Sequence, residues 1–331
     1  MPTLQDFKRR ARGSLIGAAI GDAMGAPCEG LSSQVIRERY GTITDFLSDS
    51  SVGTDDTDFT LFNAWMLIQH GIQITSEQVA AEWRDKLLSG RYFYRPGGFS
   101  DVISTRNLRE GLLPPQSGGF NHQMWSDGVA MAISAAGIIS AGRPEQAAHL
   151  ATVLGTVSNG RDGIYAAQAV AAAISMAMVG ATPKTMLDAA QANVPADSWT
   201  YRALERARAT VEKYATLDEK LAALEREVVV SWYPWADLAT EAVPVALAVF
   251  AASEGNFRRA VTAGVSMGRD ADTIGAIVGS LAGAYAGEDA IPDTWRERVQ
   301  VSTGACIGFI AGRKIVEMAD TLAEKAWEAG A

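Results

Sequence analysis

Apolar residues recur along this chain at intervals of three and four positions. That spacing places them on one face of an α-helix. It continues through most of the sequence, and abundant alanine lowers the cost of forming helices. The pattern predicts helices over 4–22, 57–70, 75–89, 127–141, 144–154, 163–179, 183–192, 199–225, 237–252, 256–266, 273–286 and 305–328.

Strand-like sequence is rare by comparison. Only the run VVVSW at 228–232 has the β-branched and aromatic character of a strand, and one isolated strand cannot build a sheet. The one long polar region, 92–123, contains PGGFSD and LLPPQSGG and is predicted to be a functional or mobile loop. No linker divides the chain. We therefore expect an all-α fold, a compact orthogonal helical bundle that forms a single domain over 1–331.

Two series of glycines recur at every fourth position. On a helix this spacing produces one smooth stripe, which lets a second backbone approach closely. We predict that both stripes serve tight helix packing rather than direct contact with a ligand. The series are Gly13, Gly17, Gly21 and Gly25, and Gly275, Gly279, Gly283 and Gly287.

The composition narrows the class of protein. With 48% hydrophobic and 20% charged residues, the chain has the material for a large core and reads as soluble and globular. The uncharged run 163–182 is dominated by alanine and is predicted to be a buried helix, not a membrane span. The basic start of the chain, with the short apolar run 15–20, is a poor match to a secretory signal.

Net charge and cysteine content bear on partners and location. A net charge of -9, with no basic block beyond 8–12, argues against a nucleic-acid surface. The two cysteines cannot form a disulfide framework, which favours a reducing compartment. We expect a cytoplasmic protein with no nucleic-acid or membrane partner. The sequence does not indicate an oligomeric state.

Acidic residues cluster at the start of two predicted helices. VGTDDTDFTLF carries Asp55, Asp56 and Asp58, and GRDADTIG carries Asp270 and Asp272. A helix N-terminus stabilises one or two carboxylates, so capping and solvated charge are sufficient explanations for part of the pattern. Three carboxylates in four positions exceed that need, and their repulsion would raise their pKa values unless a cation lies among them.

The residue types indicate which cation would bind. Carboxylate and hydroxyl oxygens, without Cys or clustered His, favour the hard cations Mg²⁺ and Mn²⁺, with Ca²⁺ as an alternative, over Zn²⁺. The three histidines, His70, His122 and His149, do not have the spacing of metal ligands. Five carboxylates with two threonine hydroxyls suggest a centre with two ions.

Three segments resemble the signature segments of the ADP-ribosylglycohydrolase family, which includes the dinitrogenase-reductase-activating glycohydrolases. They are GAAIGDAMGAPCEG, GTDDTDFTLF and GRDADTIGAIVGSLAGAYAG, and they occur in the order of the family. WSDGVAMAISAAGII, VSNGRDGIYAAQAVAAAI and ATEAVPVALAVF extend the resemblance over nearly the whole chain. The resemblance implies an all-α domain with a two-metal cluster in a cleft between helices.

The resemblance also implies site residues by position. Asp56 and Asp272 are the first candidates for activating water, with Glu29 and Asp101 as second choices; helix capping explains Asp101 equally well. The implied metal ligands are Thr54, Asp55, Asp56, Asp270, Asp272 and Thr273. The substrate-binding candidates are Glu29, Asp127, Gly128, Ser158, Asn159, Arg161, Asp162 and Arg269.

The implied activity is hydrolysis of an N- or O-glycosidic bond at C1 of a ribosyl group. The expected substrate is an ADP-ribosyl conjugate, either a small molecule or an ADP-ribosylated protein. Two ions, Mg²⁺ or Mn²⁺, would bind the ribose hydroxyls and activate water.

Departures from the family pattern leave alternatives open. Arg269 and Ala271 replace the usual Gly and Thr, and Arg269 would either bind a substrate phosphate or pair with a nearby acid. Ser158 and Asn159 stand where members that act on ADP-ribosylated proteins often have a histidine. The alternatives are a hydrolase of a small ribosylated metabolite or nucleoside, a noncatalytic crystallin-like or ligand-binding member, and another two-metal hydrolase.

Overall fold

Seventeen α-helices account for most of the regular structure in residues 3–330, the part of the chain that the computed structural model describes. Of the predicted domain 1–331, Met1, Pro2 and Ala331 lie outside this range. The helices are α1 (Leu4–Gly25), α2 (Ser33–Tyr40), α3 (Asp55–His70), α4 (Ser76–Trp83), α5 (Phe99–Arg109), α6 (Gln116–Gly119), α7 (Ser134–Ile139), α8 (Pro144–Gly155), α9 (Asp162–Met178), α10 (Pro183–Ala192), α11 (Trp199–Glu212), α12 (Leu217–Glu227), α13 (Ala239–Ala252), α14 (Phe257–Ser266), α15 (Ala271–Ala286), α16 (Asp293–Arg298) and α17 (Ile315–Glu328).

The all-α prediction is confirmed, and the predicted strand at 228–232 is wrong. Val228 ends α12, and the residues after it form an irregular loop. The Val230 N–H is donated to the Glu241 side chain rather than to a neighbouring strand. Among the described residues, β-pairing is limited to isolated bridges, such as the one between Ser126 and Leu238.

Several predicted helix boundaries are also wrong. Of the predicted helix 127–141, only α7 is helical, because 127–133 forms consecutive turns. The prediction 199–225 is two helices, since Thr216 starts α12 with a capping box that involves Glu219. The prediction 305–328 begins only at Ile315. The predicted long loop 92–123 contains α5 and α6.

The two glycine stripes pack against each other, which confirms the predicted tight packing. Helices α1 and α15 run antiparallel and in direct backbone contact. A Cβ atom on Gly17 would overlap the carbonyl oxygen of Gly279, and a Cβ on Gly21 would overlap that of Gly275. Gly287 differs from the rest of its series, because it ends α15 with a φ of 85°. This contact brings the C-terminal end of α1 beside the first turn of α15.

The hydrophobic core is continuous, and the most apolar helices lie at its centre. Helices α9, α13 and α15 are buried along most of their length. The uncharged run that was predicted to be a buried helix is α9. Of the helices described, none combines the length and the apolar character that crossing a membrane would require.

Candidate active site

The N-terminal ends of α3, α5 and α15 meet at a cleft with a volume of about 230 Å³. The glycine contact between α1 and α15 fixes one wall, and the loop before α13 contributes another. Arg95 is the one basic residue among those that line the cleft. Eight of the lining residues are carboxylic acids: Glu29, Asp55, Asp56, Asp101, Asp127, Asp237, Asp270 and Asp272.

A larger cavity of about 480 Å³ lies between α2, α12 and α14. Its charged lining residues are of both signs, and two of them, Arg37 and Glu225, approach each other to 3.6 Å. Its lining carries two acidic residues, Asp218 and Glu225. The grouping of carboxylates therefore identifies the smaller cleft as the candidate site.

Three buried carboxylates lie close together at the cleft, and two of them, Asp56 and Asp272, line it. Asp22, Asp56 and Asp272 each offer an oxygen, and these oxygens lie within 4.8 Å of one another. Asp22 comes from the end of α1, Asp56 from the first turn of α3 and Asp272 from the first turn of α15. Each is at most 4% exposed. The sequence gives Asp22 no ligand spacing of its own, and the neighbouring glycine stripe is the signal that places it here.

Asp22 also fixes the start of α3. Its carboxylate accepts hydrogen bonds from the Thr54 backbone N–H and the Thr54 hydroxyl, both at 2.7 Å, and from the Thr57 N–H at 3.0 Å. The Thr54 side chain makes no capping bond of its own to α3. A carboxylate from α1 therefore caps α3 and determines where Asp55 and Asp56 point.

Two oxygens of this cluster have no hydrogen-bond partner among the described residues. They are Oδ1 of Asp56 and Oδ1 of Asp272, and both are buried. Burial, followed by repulsion from neighbouring carboxylates, raises the pKa values of Asp56 and Asp272 well above their ordinary range. Buried, unpartnered carboxylate oxygens that repel one another match the ligand preference of a hard divalent cation. The donor set therefore fits a hard divalent cation.

The structure brings all six predicted metal ligands to the cleft. Asp270 is the N-terminal cap of α15, and burial followed by repulsion from Asp127 raises its pKa well above its ordinary range. The Thr273 hydroxyl lies 3.8 Å from the sulfur of Met131. The six residues are Thr54, Asp55, Asp56, Asp270, Asp272 and Thr273.

The two second-choice catalytic residues also line the cleft. Glu29 is exposed at its rim, and Asp101 is buried in the first turn of α5. Burial is the main cause that raises the pKa of Asp101 to about 7, and the charge of Asp55 adds to the effect. A Cβ at Gly97 would overlap the Asp55 carboxylate, which explains the glycine in PGGFSD.

Three of the eight substrate-binding candidates line the cleft: Glu29, Asp127 and Gly128. Oδ2 of Asp127 is buried and has no hydrogen-bond partner among the described residues. Ser158 and Asn159 lie behind the wall instead. Asn159 donates to the backbone oxygen and the hydroxyl of Ser126, at 3.0 and 3.1 Å, so it supports the wall.

The remaining three candidates, Arg161, Asp162 and Arg269, are not among the residues that line the cleft. Arg161 is exposed, and Asp162 accepts hydrogen bonds from the N–H and hydroxyl of Thr200, both at 2.8 Å, which joins α9 to α11. Arg269 forms an ion pair with Glu241 at 2.8 Å. Of the two roles left open for Arg269, pairing with an acid is the one found.

Several cleft residues were missed by the sequence analysis. They include Arg95, Ser100, Ser126 and Asp237, which lie in segments without a charged cluster. Asp237 starts the predicted helix 237–252, but α13 begins two residues later, at Ala239. The available signals were weaker: the glycine pair in PGGFSD and the aromatic run in WYPWAD.

Asp58 has a structural role, unlike the other two aspartates of its cluster. It accepts hydrogen bonds from the N–H groups of Cys306 and Ile307, at 2.8 and 3.0 Å, and from the Ser302 hydroxyl at 2.9 Å. We expect Asp58→Asn to lower the free energy of unfolding by about 3 kcal/mol, because the new amide cannot accept from all three donors. Chemical denaturation measures this loss. A variant as stable as the wild type, or one that no longer binds Mn²⁺, would contradict the assignment.

The buried acids predict how stability depends on pH when no metal is bound. Burial raises the pKa of Asp22 and the pKa of Asp101 from 3.8 to about 7. Between these values the folded protein binds more protons than the unfolded chain, so stability falls as the pH rises. We expect the Tm in EDTA to decrease from pH 5 to pH 8, and Mg²⁺ to reduce this decrease. A Tm in EDTA that is constant or rises over this range would argue against it.

Comparisons with known proteins match nearly the whole chain. The family model described as ADP-ribosylglycohydrolase matches residues 3–330. An uncharacterized protein from Archaeoglobus fulgidus is 27% identical over 298 residues, which cover 88% of this chain and 92% of that protein. A solved structure described as an ADP-ribosylglycohydrolase-related protein complex covers 99% of this chain and 100% of its own, with a TM-score of 0.64 and 22% identity. At that identity, the likeness to the solved structure concerns the fold.

Proposed function

The chain belongs to the ADP-ribosylglycohydrolase family, and we propose that it is a metal-dependent hydrolase of the glycosidic bond at C1 of a ribosyl group. The observation that carries the proposal is the buried cluster of Asp22, Asp56 and Asp272 at the cleft. A divalent cation would compensate the charge of its unpartnered oxygens.

We propose that the cleft holds two ions, Mg²⁺ or Mn²⁺. Asp56 and Asp272 would hold them, together with Asp55 and Asp270 and the hydroxyls of Thr54 and Thr273. When bound, the ions would neutralise the carboxylates, bind vicinal ribose hydroxyls and lower the pKa of a water molecule.

The reaction also needs a group that transfers a proton, and a residue of the cleft can supply it. Asp101 lies outside the Asp22, Asp56 and Asp272 cluster, lines the cleft, and has a pKa of about 7. A carboxyl with that pKa can both accept and donate a proton at neutral pH. We therefore assign to Asp101 the proton exchange with the attacking water or the leaving group, and treat Asp56 and Asp272 first as ligands.

The cleft contains more carboxylates than the proposed metal ligands account for, and their negative charge suits the positive charge that develops in the reaction. Cleavage at C1 of ribose passes through a state with positive charge on C1 and the ring oxygen. Asp127 and Asp237, which line the cleft in addition to the proposed ligands, would stabilise that charge electrostatically. Asp127 is held in the cleft wall because its own backbone N–H donates to the Asp237 carbonyl at 3.1 Å.

The test is a substrate panel with Mg²⁺ or Mn²⁺: ADP-ribosyl-arginine, ADP-ribosyl-serine, O-acetyl-ADP-ribose and simple nucleosides. We expect release of ADP-ribose or ribose from at least one compound, and loss of this release in EDTA. Metal binding without turnover of any compound would favour a noncatalytic ligand-binding member. Turnover of nucleosides alone would favour a hydrolase of small ribosylated metabolites.

A further inference from the structure

The larger cavity, of about 480 Å³ between α2, α12 and α14, takes no part in the proposed hydrolysis. Its lining residues and those of the acidic cleft have no member in common. Its volume lies within the range of roughly 300–1,000 Å³ that is typical of small-molecule sites. The cavity is therefore large enough for a ligand of its own.

Much of the cavity lining is apolar. Ile43, Ala263 and Met267 line it, and each is at most 5% exposed. Leu217 and Leu221 of α12 are partly buried and add to this surface. Such a lining favours a ligand with a hydrocarbon group, because contact removes the apolar surfaces of both from water.

One buried polar group at the cavity has no partner. Ser33 lies in the first turn of α2, lines the cavity and is 3% exposed. Its hydroxyl makes no hydrogen bond to another described residue. Since most buried polar side-chain atoms in proteins have a partner, this hydroxyl favours an occupant with a polar group.

The cavity lining also includes charged residues of both signs. The positive residues are Arg37 and Arg259. The negative residues are Asp218 and Glu225, so the four charges cancel. The Arg37 guanidinium and the Glu225 carboxylate lie 3.6 Å apart, which is longer than a hydrogen bond. Both groups therefore retain hydrogen-bonding capacity for a ligand.

This balance of charges restricts the class of ligand. The two carboxylates would repel a ligand with several negative charges, and the two guanidinium groups would repel one with several positive charges. The carboxylate and the ammonium group of an amino acid are attached to one carbon, so they need a positive and a negative side chain next to each other. Arg37 and Glu225 meet that need, and the apolar lining suits an apolar side chain.

Two short backbone segments that pair with each other connect the cavity to the cleft. The Gly30 N–H donates to the Arg269 carbonyl at 2.8 Å, and the Arg269 N–H donates to the Leu31 carbonyl at 2.7 Å. Ser32 forms an isolated β-bridge with Gly268. A Cβ atom on Gly268 would overlap the Leu31 carbonyl oxygen, so the two segments are in close backbone contact.

The ends of the paired segments line different sites. Glu29 and Asp270 line the cleft, whereas Ser33 and Met267 line the cavity. An occupant that packs against Ser33 and Met267 would restrain both segments, and with them the two cleft residues. Restraint before a metal binds lowers the entropy that metal binding would otherwise cost.

We propose that this cavity binds a free amino acid with an apolar side chain, and that an occupied cavity favours metal binding in the cleft. The binding part is independent of the proposed hydrolysis. The coupling part rests on the proposed metal centre, because it acts through the segment that carries Asp270.

Calorimetric titration in EDTA tests the binding part without metal or substrate. The probes are leucine and phenylalanine, each compared with its N-acetyl derivative, which keeps the carboxylate, and with its amide, which keeps the ammonium group. A pH of about 6.5 keeps the amino groups protonated. We expect each derivative to bind about tenfold more weakly than the amino acid, because it loses one charge-assisted hydrogen bond.

Two outcomes of this titration would contradict the binding part. A derivative that binds as tightly as its amino acid would overturn the class of ligand. The absence of binding of both amino acids at millimolar concentration would overturn the site itself.

Two variants test the assignment of the charges. Arg37→Gln should weaken binding of the amino acid and its N-acetyl derivative by about tenfold and leave the amide unaffected. Glu225→Gln should weaken the amino acid and the amide, and leave the N-acetyl derivative unaffected. Side-chain exposures of 60% for Arg37 and 35% for Glu225 make it unnecessary for folding to be disturbed. Equal losses for all three compounds in both variants would contradict the assignment.

Filling the cavity gives an independent test. Ala222 lines the cavity and is exposed, so Ala222→Phe should fold normally and lose amino-acid binding. Ala192→Phe is the matched control and should bind as the wild type does, because Ala192 is an exposed helical residue outside the cavity. If ultracentrifugation showed self-association of the wild type that Ala222→Phe abolished, the cavity would be an interface between copies of this chain and the proposal would be overturned.

Titration with Mn²⁺ tests the coupling part. We expect a saturating amino acid to raise Mn²⁺ affinity by about fivefold or more, and Mn²⁺ to raise amino-acid affinity by the same factor, since coupling between two sites is reciprocal. Ala222→Phe should remove the effect, and it also measures any binding of Mn²⁺ by the free amino acid. Amino-acid binding with unchanged Mn²⁺ affinity would overturn the coupling. Both effects without hydrolysis of any panel compound would overturn the proposed activity alone.

Discussion

Asp56→Asn should abolish divalent-metal binding and lower kcat/KM by at least about 1000-fold, and Asp272→Asn should do the same. Metal ions supply several kcal/mol of charge stabilisation in such reactions, and about 1.4 kcal/mol corresponds to a factor of ten. Both carboxylates are buried, and each has one oxygen without a hydrogen-bond partner among the described residues. Titration with Mn²⁺ and steady-state kinetics on the substrate found in the panel measure the two effects.

These substitutions should have a second effect that ordinary core substitutions lack. Repulsion and burial raise the pKa values of Asp56 and Asp272, so their ionised forms oppose folding when no metal is present. We therefore expect the Asn variants to have a higher Tm than the wild type in EDTA, and a smaller gain in Tm from Mg²⁺.

The matched control lies in the same cluster. Asp58→Asn should do the opposite, lowering stability while Mn²⁺ binding is retained, because Asp58 bonds to protein donors on all sides. Wild-type Mn²⁺ affinity in both Asp56→Asn and Asp272→Asn would disprove the metal assignment. A lower Tm of both variants in EDTA would show that these carboxylates are structural.

The fold could be predicted where local pattern and tertiary structure agree. Helices α9, α13 and α14 follow their predicted limits within two residues, because each is apolar over most of its length or carries one strongly apolar face. The prediction failed at 305–314, where Asp58 holds the backbone N–H groups of Cys306 and Ile307. A side chain almost 250 positions away determines the conformation there. The local pattern of apolar residues does not reveal such a distant contact.

The site could be predicted only in part, for a similar reason. The six proposed ligands came from the resemblance to the family, and the clustered charge at two helix starts, which is visible in the sequence, independently suggested a metal site there. Asp22 and Asp237 are single acids whose position depends on packing, the first on the glycine stripe and the second on its contact with Asp127. The role of Arg269 was open because its partner, Glu241, lies on another helix.

Gly21→Ala should both destabilise the protein and weaken metal binding, because the stripe that holds α1 against α15 also sets the distance between Asp22 and Asp272. The added Cβ would overlap the Gly275 backbone, where neither helix can yield by a side-chain rotation. We expect a net loss of about 2 kcal/mol in the free energy of unfolding: about 3 kcal/mol, the upper end for overpacked cores, less roughly 1 kcal/mol gained from alanine's helix propensity. Denaturation and Mn²⁺ titration measure the two effects.

A variant at the other end of the stripe separates packing from function. Gly13→Ala overlaps the Gly283 backbone in the same way, but it lies eight residues, or about 12 Å of helix, before Gly21. It should lose similar stability and retain more of its Mn²⁺ affinity. Gly119→Ala, where a Cβ meets no other atom within 4 Å, should leave both nearly unchanged. If Gly21→Ala and Gly13→Ala lowered Mn²⁺ affinity equally, general loosening of the fold, rather than the local distance between α1 and α15, would govern the site.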